Sequence, residues 1–243
     1  MGLLAIIPAR GGSKGIPRKN LRLIGDKPLI CWTIECAKAA SSVERVIVTT
    51  DDEEIAQTAL KSGAEVPFMR PASLAQDDTS GVDPIWHALD WLEKNEGYRP
   101  QHAVMLQPTS PLRTAQDIEM AYRIALAKDP GAVIGVSEST QHPHWTKRID
   151  DEGCLIDFVD QYKAVSRRQD LPAAYIVNGA IYMFSRMEFL REKSWFRPKA
   201  YPYVMPHERS LDIDSLWDFY VTDLIVSAEK SRDAGPYVLN LSS

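Results

Sequence analysis

The chain has 243 residues, 44% of them hydrophobic and 25% charged, which predicts one folded domain spanning residues 1–243. These fractions exclude a collagen-like chain, a disordered chain and a small disulfide scaffold. The 28 lysines and arginines stand against 33 aspartates and glutamates, and the net charge of −5 argues against bulk binding to nucleic acid or to an anionic membrane.

The first apolar run, residues 3–7, is ended by Pro8 and Arg10 after a length too short for a signal segment or a membrane span. We therefore expect a cytoplasmic protein that does not enter a membrane. The three cysteines lack the spacing of a metal site, so we expect reduced and mostly buried thiols.

Short branched apolar runs alternate with helical patterns through the first half of the chain. Each run has the composition of a strand buried on both faces, and the segments between them carry apolar residues at helical spacing. This alternation predicts an α/β fold with a mostly parallel sheet and helices on both faces. The predicted strands are 3–7, 45–50, 103–107 and 132–136, and the predicted helices are 28–40, 52–62, 84–96 and 115–128.

The second half of the chain breaks the alternation between about residues 139 and 175. Charged and turn residues between the apolar stretches of 149–159 predict an antiparallel hairpin or excursion there. Further along, the patterns predict a long strand at 173–184 interrupted by Asn178-Gly179, a short helix at 187–193, a short strand at 211–214 and a helix at 215–230 capped by Ser215.

The loop that follows the first strand, residues 8–20, combines glycines with cations. Ligands of parallel sheets bind beyond the carboxyl ends of the strands, and glycines let backbone N–H groups approach a ligand closely. Backbone N–H groups and cations together predict a polyphosphate site. The loop is not a Walker A loop, because no GxxxxGK[ST] spacing occurs in it. The glycines are Gly11, Gly12 and Gly15, and the cations are Arg10, Lys14, Arg18 and Lys19.

Two carboxylates lie two residues apart near the end of the chain, Asp212 and Asp214. In an extended segment both would share one face, while Leu211 and Ile213 would point into the core. Two carboxylates together with substrate phosphates are the usual ligands of Mg²⁺. A DxD pair is a weak signal by itself, and the basic loop is what makes a magnesium site the favoured interpretation.

Residues 7–20, IPARGGSKGIPRKN, resemble the signature of the acylneuraminate cytidylyltransferases, the CMP-sialic acid synthetases. Further segments resemble the other motifs of this family in the same order, and together they cover nearly the whole chain. The related ketodeoxyoctonate cytidylyltransferases carry a different first loop. The further segments are RP and LAQD within 70–77, QPTSPLR at 107–113, RQDLP at 168–172, NGAIY at 178–182 and SLDID at 210–214.

The resemblance implies a three-layer Rossmann-like nucleotidyltransferase fold in which residues 139–175 form a small protruding dimerisation arm. It also implies a homodimer, in which residues of one subunit complete the sugar site of the other. The implied reaction couples CTP to a nonulosonic acid: the anomeric hydroxyl of the sugar attacks the α-phosphate in line, and pyrophosphate leaves.

The resemblance also implies the residues of the nucleotide site. Arg10 and Lys19 would clamp the triphosphate, Lys14 would stabilise charge at the α-phosphate, and these three are the implied catalytic residues. The implied nucleotide-binding residues are Arg10, Gly11, Gly12, Ser13, Lys14, Lys19, Asn20, Arg70, Ala75 and Ser80.

For the acceptor sugar, Arg168 would bind the carboxylate and Tyr182 would pack against the ring. Asp212 and Asp214 would hold Mg²⁺. A glutamine stands where many sugar nucleotidyltransferases carry an acidic metal ligand, so the number of metal ions stays open. The implied sugar-binding residues are Gln107, Thr109, Ser110, Lys147, Arg168, Asn178 and Tyr182.

Three alternatives remain at the level of the sequence. The acceptor is N-acetylneuraminic acid or N,N'-diacetyllegionaminic acid, while Gly15 and the segment 142–145 argue against pseudaminic acid. A non-catalytic nucleotide-binding regulator on the same fold should have lost Lys14 or one of the paired aspartates, and neither is lost. A P-loop phosphotransferase lacks its required motif.

Overall fold

A computed structural model describes residues 2–12, 15–128, 131–159, 167, 171–196 and 199–233. The helices are α1 (Leu29–Ala39), α2 (Glu53–Lys61), α3 (Asp83–Glu96), α4 (Ala115–Lys128), α5 (Arg186–Glu192) and α6 (Leu216–Asp233). The strands are β1 (Leu3–Pro8), β2 (Leu23–Ile24), β3 (Lys27–Pro28), β4 (Val43–Thr49), β5 (His102–Met105), β6 (Ala132–Glu138), β7 (Lys147–Ile149), β8 (Leu155–Asp157), β9 (Tyr175–Ser185) and β10 (Ala200–Val204).

A six-stranded sheet in the order β10-β6-β9-β5-β1-β4 forms the centre of the molecule. Strand β1 is parallel to both β4 and β5, and β10 is parallel to β6. Only β9 of these six strands runs antiparallel, and it joins the two parallel groups by pairing with β5 and β6. The predicted α/β fold with a mostly parallel sheet is therefore confirmed.

Strand β1 shows why the sheet is covered on both sides. Its residues Leu3, Ala5 and Ile7 contact one apolar cluster, whereas Leu4 and Ile6 contact another, because successive side chains of a strand point to opposite faces. The first cluster is built with α1, α2 and α4, and the second with α3 and α5. A strand with no polar face is stable only between two such layers.

The eight elements predicted for the first half are confirmed within a few residues, and so is the helix beginning after Ser215. The Ser215 hydroxyl and N–H both donate to the Asp218 carboxylate at 2.7 Å, which fixes the first turn of α6. The predicted strand at 211–214 is wrong. That segment has no regular secondary structure, and a backbone hydrogen bond from the Ile213 N–H to the Thr109 carbonyl, at 2.9 Å, holds it to the core.

Strands β7 and β8 form the predicted antiparallel hairpin outside the main sheet. Apolar side chains on the hairpin and directly after it are exposed to solvent: Ile149 is 72% exposed, Leu155 73% and Phe158 65%. The long strand β9 is continuous across Asn178-Gly179, where the sequence predicts an interruption, although the pairing with β6 shifts register there. No helix among the described residues combines the length and apolarity needed to cross a membrane.

Candidate active site

A cleft of about 350 Å³ opens where β1 and β5 end. This is the edge of a parallel sheet at which ligands bind, because the carboxyl ends of the strands and the loops after them converge there. Its walls come from the loop after β1, residues 70–84, residues 105–109 and two aromatic side chains, Tyr182 and Trp195.

The loop after β1 is held at its base, and its backbone at Gly12 is open. The Asn20 amide donates to the Arg10 carbonyl at 3.1 Å, and Arg10 pairs with Asp77 at 3.0 Å. A Cβ added at Gly12 would meet nothing within 4 Å, so this backbone is open to a ligand. Ser13 and Lys14, which the sequence places at the tip, lie outside the described residues.

Asp51 connects this loop to the next wall of the cleft. Its Oδ1 accepts hydrogen bonds from the Gly11 N–H at 3.1 Å and from Arg70 Nη2 at 3.2 Å. Arg70 lines the cleft and is 5% exposed, and burial lowers the pKa of its guanidinium while Asp51 acts in the opposite direction. Sequence reasoning missed Asp51, although its place directly after a buried parallel strand is a signal for a functional carboxylate.

Gly11 must be a glycine because its backbone lies too close to the Asp52 side chain for a Cβ to fit. A Cβ there would lie 2.7 Å from Asp52 Oδ2 and 2.9 Å from Asp52 Cβ. Asp52 cannot move away easily, since its side chain accepts the Ile55 N–H and caps α2. The glycine thus lets the basic loop lie directly on the amino end of that helix.

The segment predicted to recognise the base forms one side of the cleft. Gln76, Thr79 and Ser80 line it, and the Ser80 hydroxyl also accepts the Val82 N–H at 3.3 Å at the start of α3. Ala75 is not among the described residues that line the cleft, so its predicted contact with the nucleotide stays a prediction.

Lys19 joins the basic loop to the acidic motif, which lies 194 residues further along the chain. Its Nζ donates to the Ile213 carbonyl at 2.6 Å and lies 3.7 Å from Asp214 Oδ1. Lys19 also lines the cleft. The loop and the motif pack closely, since a Cβ at Gly15 would lie 2.7 Å from the Asp214 carbonyl oxygen.

Asp212 and Asp214 flank the fully buried Ile213. Burial raises the pKa of Asp212, and so does Asp214, whereas the hydrogen bond from Thr109 and the charge of Lys19 act against them. Asp212 Oδ1 is buried and has no hydrogen-bond partner among the described residues. A carboxylate oxygen left bare beside a second carboxylate fits a divalent cation, because an anionic oxygen of this kind needs a charged partner.

The described residues contain no group of three His, Cys, Asp or Glu side chains able to hold a metal ion. The chain therefore offers two carboxylates at this place, and the remaining ligands of a metal would have to come from a substrate or from water.

The other end of the cleft is aromatic. Tyr182 lies with its ring 5.3 Å from the Trp195 ring, and Trp195 packs further against Phe184 and Phe189. Gln107 and Thr109 supply polar groups beside them. Sequence reasoning missed Trp195, because nothing in its local pattern shows that the turn after α5 folds back against β9.

Three predicted sugar-binding residues lie away from the cleft lining. Ser110 is fully buried. The Asn178 amide is used inside the protein, donating to Ser210 Oγ at 3.0 Å and accepting the Ala180 N–H at 3.1 Å. Lys147 pairs with Asp157 across the β7–β8 hairpin. Their roles toward a sugar stay predictions, as does that of Arg168, which lies outside the described residues.

Residues 4–209 match the family model described as "Cytidylyltransferase". Among characterised relatives, the N-acylneuraminate cytidylyltransferase of Streptococcus agalactiae serotype V is 38% identical over 89% of this chain. The chain spans only about half of that enzyme, 51% of its length. The CMP-N,N'-diacetyllegionaminic acid synthase of Legionella pneumophila is 32% identical, and the match covers 93% of this chain and 97% of that enzyme.

A solved structure supports the fold. The structure of a CMP:2-keto-3-deoxy-manno-octonic acid synthetase complexed with CTP superposes with a TM-score of 0.71, covering 94% of this chain and all of that chain. The two sequences are 18% identical, so this likeness concerns the fold alone. It confirms the predicted nucleotidyltransferase architecture.

Proposed function

Since this chain belongs to the cytidylyltransferase family, we propose that it transfers CMP from CTP to the anomeric hydroxyl of a nonulosonic acid and releases pyrophosphate. The observation that carries the proposal is a cleft lined by Arg10, Lys19 and Arg70, in which Lys19 also contacts the acidic motif that holds Asp212 and Asp214. Cations and a carboxylate pair at the end of a parallel sheet suit a nucleoside triphosphate.

The chemistry depends on positioning and charge neutralisation, as in other phosphoryl transfers. Arg10, Lys19 and the backbone of the first loop face the triphosphate. Lys14 is assigned to the α-phosphate, where it stabilises the charge that grows as the sugar oxygen forms its bond to phosphorus. The bond from that phosphorus to the oxygen that bridges it to the β-phosphate breaks, the proton of the sugar hydroxyl passes to water, and pyrophosphate leaves with the electron pair of the broken bond.

Asp212 and Asp214 are the residues that would hold Mg²⁺, supported by the bare Asp212 Oδ1. The ion supplies positive charge to phosphate oxygens when bound. Lys19, which contacts the backbone between the two aspartates, keeps the pair next to the basic loop.

The acceptor site is assigned to the aromatic end of the cleft. Tyr182 and Trp195 offer apolar faces to a sugar ring and its acetamido methyl groups, and Gln107 and Thr109 offer hydrogen bonds to hydroxyls. We assign N-acetylneuraminic acid as the acceptor. N,N'-diacetyllegionaminic acid is the second candidate, because a CMP-N,N'-diacetyllegionaminic acid synthase is among the relatives that the chain matches over nearly their whole length.

We further propose a homodimer formed through the hairpin region. Eight large apolar side chains are exposed on the hairpin, the segments on either side of it and the beginning of β9, which favours a partner that buries them. They are Trp145, Ile149, Leu155, Phe158, Val159, Tyr175, Ile176 and Val177. The cytoplasm is the proposed compartment, because CTP is made and kept there.

The test is pyrophosphate release with CTP and Mg²⁺, comparing N-acetylneuraminic, legionaminic, pseudaminic and ketodeoxyoctonic acids, with ATP, GTP and UTP as nucleotide controls. Release with CTP and one nonulosonic acid supports the reaction and names the acceptor. CTP binding without release for any acceptor favours the regulator, and release with another nucleotide contradicts the assignment of residues 70–80 to cytosine.

Lys14→Ala separates the enzyme from the regulator at the level of one residue. The proposal predicts that the variant binds CTP and loses turnover. Unchanged turnover removes Lys14 from the mechanism.

A further inference from the structure

A second cavity, of about 720 Å³, lies behind the catalytic cleft and shares none of its described lining residues. It is bounded by α1, the turn before α4 and α6, and we call it the rear cavity. Its wall is largely apolar, with Trp32, Ala39, Leu112 and Val226. Two arginines, Arg113 and Arg209, interrupt this apolar wall.

Arg113 is the unusual residue of this wall. It is 3% exposed, and its described partners are neutral: the Ala180 carbonyl at 2.7 Å, the Gln107 carbonyl at 3.3 Å and the Thr33 hydroxyl at 2.9 Å. Its Nε has no hydrogen-bond partner in the part of the chain that the structure describes. Because a guanidinium keeps its charge in proteins, an interior cation without a bonded anion is costly.

The buried carboxylate of Asp117 raises the pKa of Arg113 through its charge, although burial lowers that pKa overall, and Asp117 is not among the hydrogen-bond partners of Arg113. Asp117 receives two bonds from Arg209, at 2.7 and 3.1 Å, one from Tyr203 at 2.8 Å and two from Thr114 at 2.8 Å. Its oxygens are therefore fully used, and its charge balances Arg209. Cys36 also lies beside Arg113, but burial raises the pKa of this thiol, which stays neutral at pH 7.

The two glutamates of the wall do not balance Arg113 either. Glu35 pairs with Lys27, and Glu208 is exposed to solvent, where its charge is screened. The rear cavity thus presents an apolar body and one cation to which no carboxylate of the described residues is hydrogen-bonded. We propose that it binds a small apolar carboxylate, whose anion pairs with Arg113 and whose hydrocarbon part fills the space between α1 and α6.

A ligand bound in the rear cavity should change substrate binding in the catalytic cleft, and this expectation rests on the proposed function. Arg113 holds the carbonyls of Gln107, which lines the cleft, and of Ala180, which follows the glycine packed against Asp212. A carboxylate bound to the guanidinium weakens both bonds, because the donors are shared. We therefore expect occupation to raise the KM for the nonulosonic acid more than the KM for CTP.

Benzoate is the probe, benzamide its uncharged counterpart, and saturation-transfer NMR measures their binding to the full chain without any need for turnover. We expect saturable benzoate binding with a Kd on the order of 1 mM, from the affinity typical of so small a ligand. Benzamide should bind about tenfold more weakly, because it lacks the charge-assisted bond. Equal binding of the two compounds, or none, would overturn the proposal.

Variants locate the site. Ala39 and Ala228 are exposed helix residues in the wall, so Ala39→Phe and Ala228→Phe each place a ring in the cavity without touching the catalytic cleft. Ala127→Phe, at an exposed position of α4 outside the wall, is the matched control. Benzoate binding should fall at least fivefold in the first two variants and stay unchanged in the third. Retained binding in both, or displacement of benzoate by CTP, would contradict the location.

The coupling is read separately in pyrophosphate release. Saturating benzoate should raise the acceptor KM two- to fivefold in the unmodified protein and leave it unchanged in Ala39→Phe. Benzoate binding without a change in the acceptor KM would overturn the proposed coupling but would still support the binding site. Failure of the proposed reaction itself would show as absent turnover without benzoate, while the NMR result would stand.

Discussion

The two halves of the cleft are built differently. The nucleotide half, made by Arg10, Asn20, Asp51 and Arg70, is closed by hydrogen bonds and ion pairs within one chain. The acceptor half, made by Gln107, Tyr182 and Trp195, includes a residue of β9, the strand whose first three residues are exposed and apolar. From this difference we expect the proposed CTP site to be organised within one subunit, and the proposed sugar site to depend on the partner proposed to cover the hairpin.

The largest effect should come from the residue that joins the basic loop to the acidic motif. Lys19→Met removes the charge that contacts the Ile213 carbonyl and faces Asp214, so kcat should fall by about 10²- to 10³-fold. Arg18→Gln is the matched control, because Arg18 points to Asp52 and Glu54 instead. Its kcat should stay within about threefold. Steady-state pyrophosphate release compares them, and equal losses would contradict the assignment of Lys19.

Breaking the nucleotide half alone should spare the acceptor half. Asp51→Asn leaves Arg70 buried without its carboxylate and weakens the bond to the Gly11 N–H, so the KM for CTP should rise about 30-fold. The acceptor KM should change little. Asp90→Asn, which loses a helical pair with Lys94 and a charge near His87, is the control. A rise in both KM values would show that the two halves are not independent.

Breaking the acceptor half should give the reverse pattern. Trp195→Ala removes the ring that supports Tyr182, so the acceptor KM should rise about tenfold while CTP binding stays unchanged. Trp217→Ala, at a 69% exposed position on α6, is the control for loss of a tryptophan. Calorimetric titration with CTP and steady-state kinetics with the sugar separate the two ligands.

The dependence of the acceptor half on a partner is tested at the hairpin. The double variant Ile149→Glu with Leu155→Glu places charges on its apolar face, so we expect a monomer in sedimentation and an acceptor KM about fivefold higher. Leu126→Glu, at a 58% exposed position of α4, should remain dimeric. An unchanged sedimentation coefficient in the double variant would exclude the hairpin as the interface.

The smallest effect on turnover should come from the buried ion pair of Asp117 with Arg209. Arg209 lies three residues before Asp212 in the chain, outside both halves of the cleft. Burial alone would raise the pKa of Asp117, but hydrogen bonds from Arg209, Thr114 and Tyr203 lower it below the usual value. Asp117→Asn should lower the free energy of unfolding by about 3 kcal/mol at pH 7.

The sign of the pH dependence follows from that lowered pKa. The stability that the ionised Asp117 provides is present above the unfolded-state pKa of about 3.9 and is lost as pH falls through the folded-state value. The difference in the free energy of unfolding between the unmodified protein and Asp117→Asn should therefore be constant from pH 8 to 5 and should decrease below about pH 4. Urea unfolding at several pH values measures this difference in the free energy of unfolding. A difference that decreases as the pH is raised would contradict the interpretation.

Much of the fold could be predicted because local patterns agree with the final environment. The run Leu3–Ile7 has no polar residue, so only a strand between two layers can bury it. Strand β10 could not be predicted, since its exposed Pro202 and Tyr201 are edge features that look like a loop. The segment 211–214 has a strand-like pattern, yet in the described structure it finds no neighbouring strand to pair with.

Local sequence was enough to name the chemical groups of the proposed nucleotide site. Glycines and cations after a buried strand, and two carboxylates two residues apart, are patterns that local spacing records. Which of these groups come into contact depends on the packing of distant elements. Lys19 reaches the Ile213 carbonyl, Asp51 bridges Gly11 and Arg70, and Trp195 supports Tyr182 across long separations in the chain. Asn178 and Ser110 are buried for the same reason. Whether a side chain faces the core or the cleft depends on the packing of distant elements, which no local pattern records.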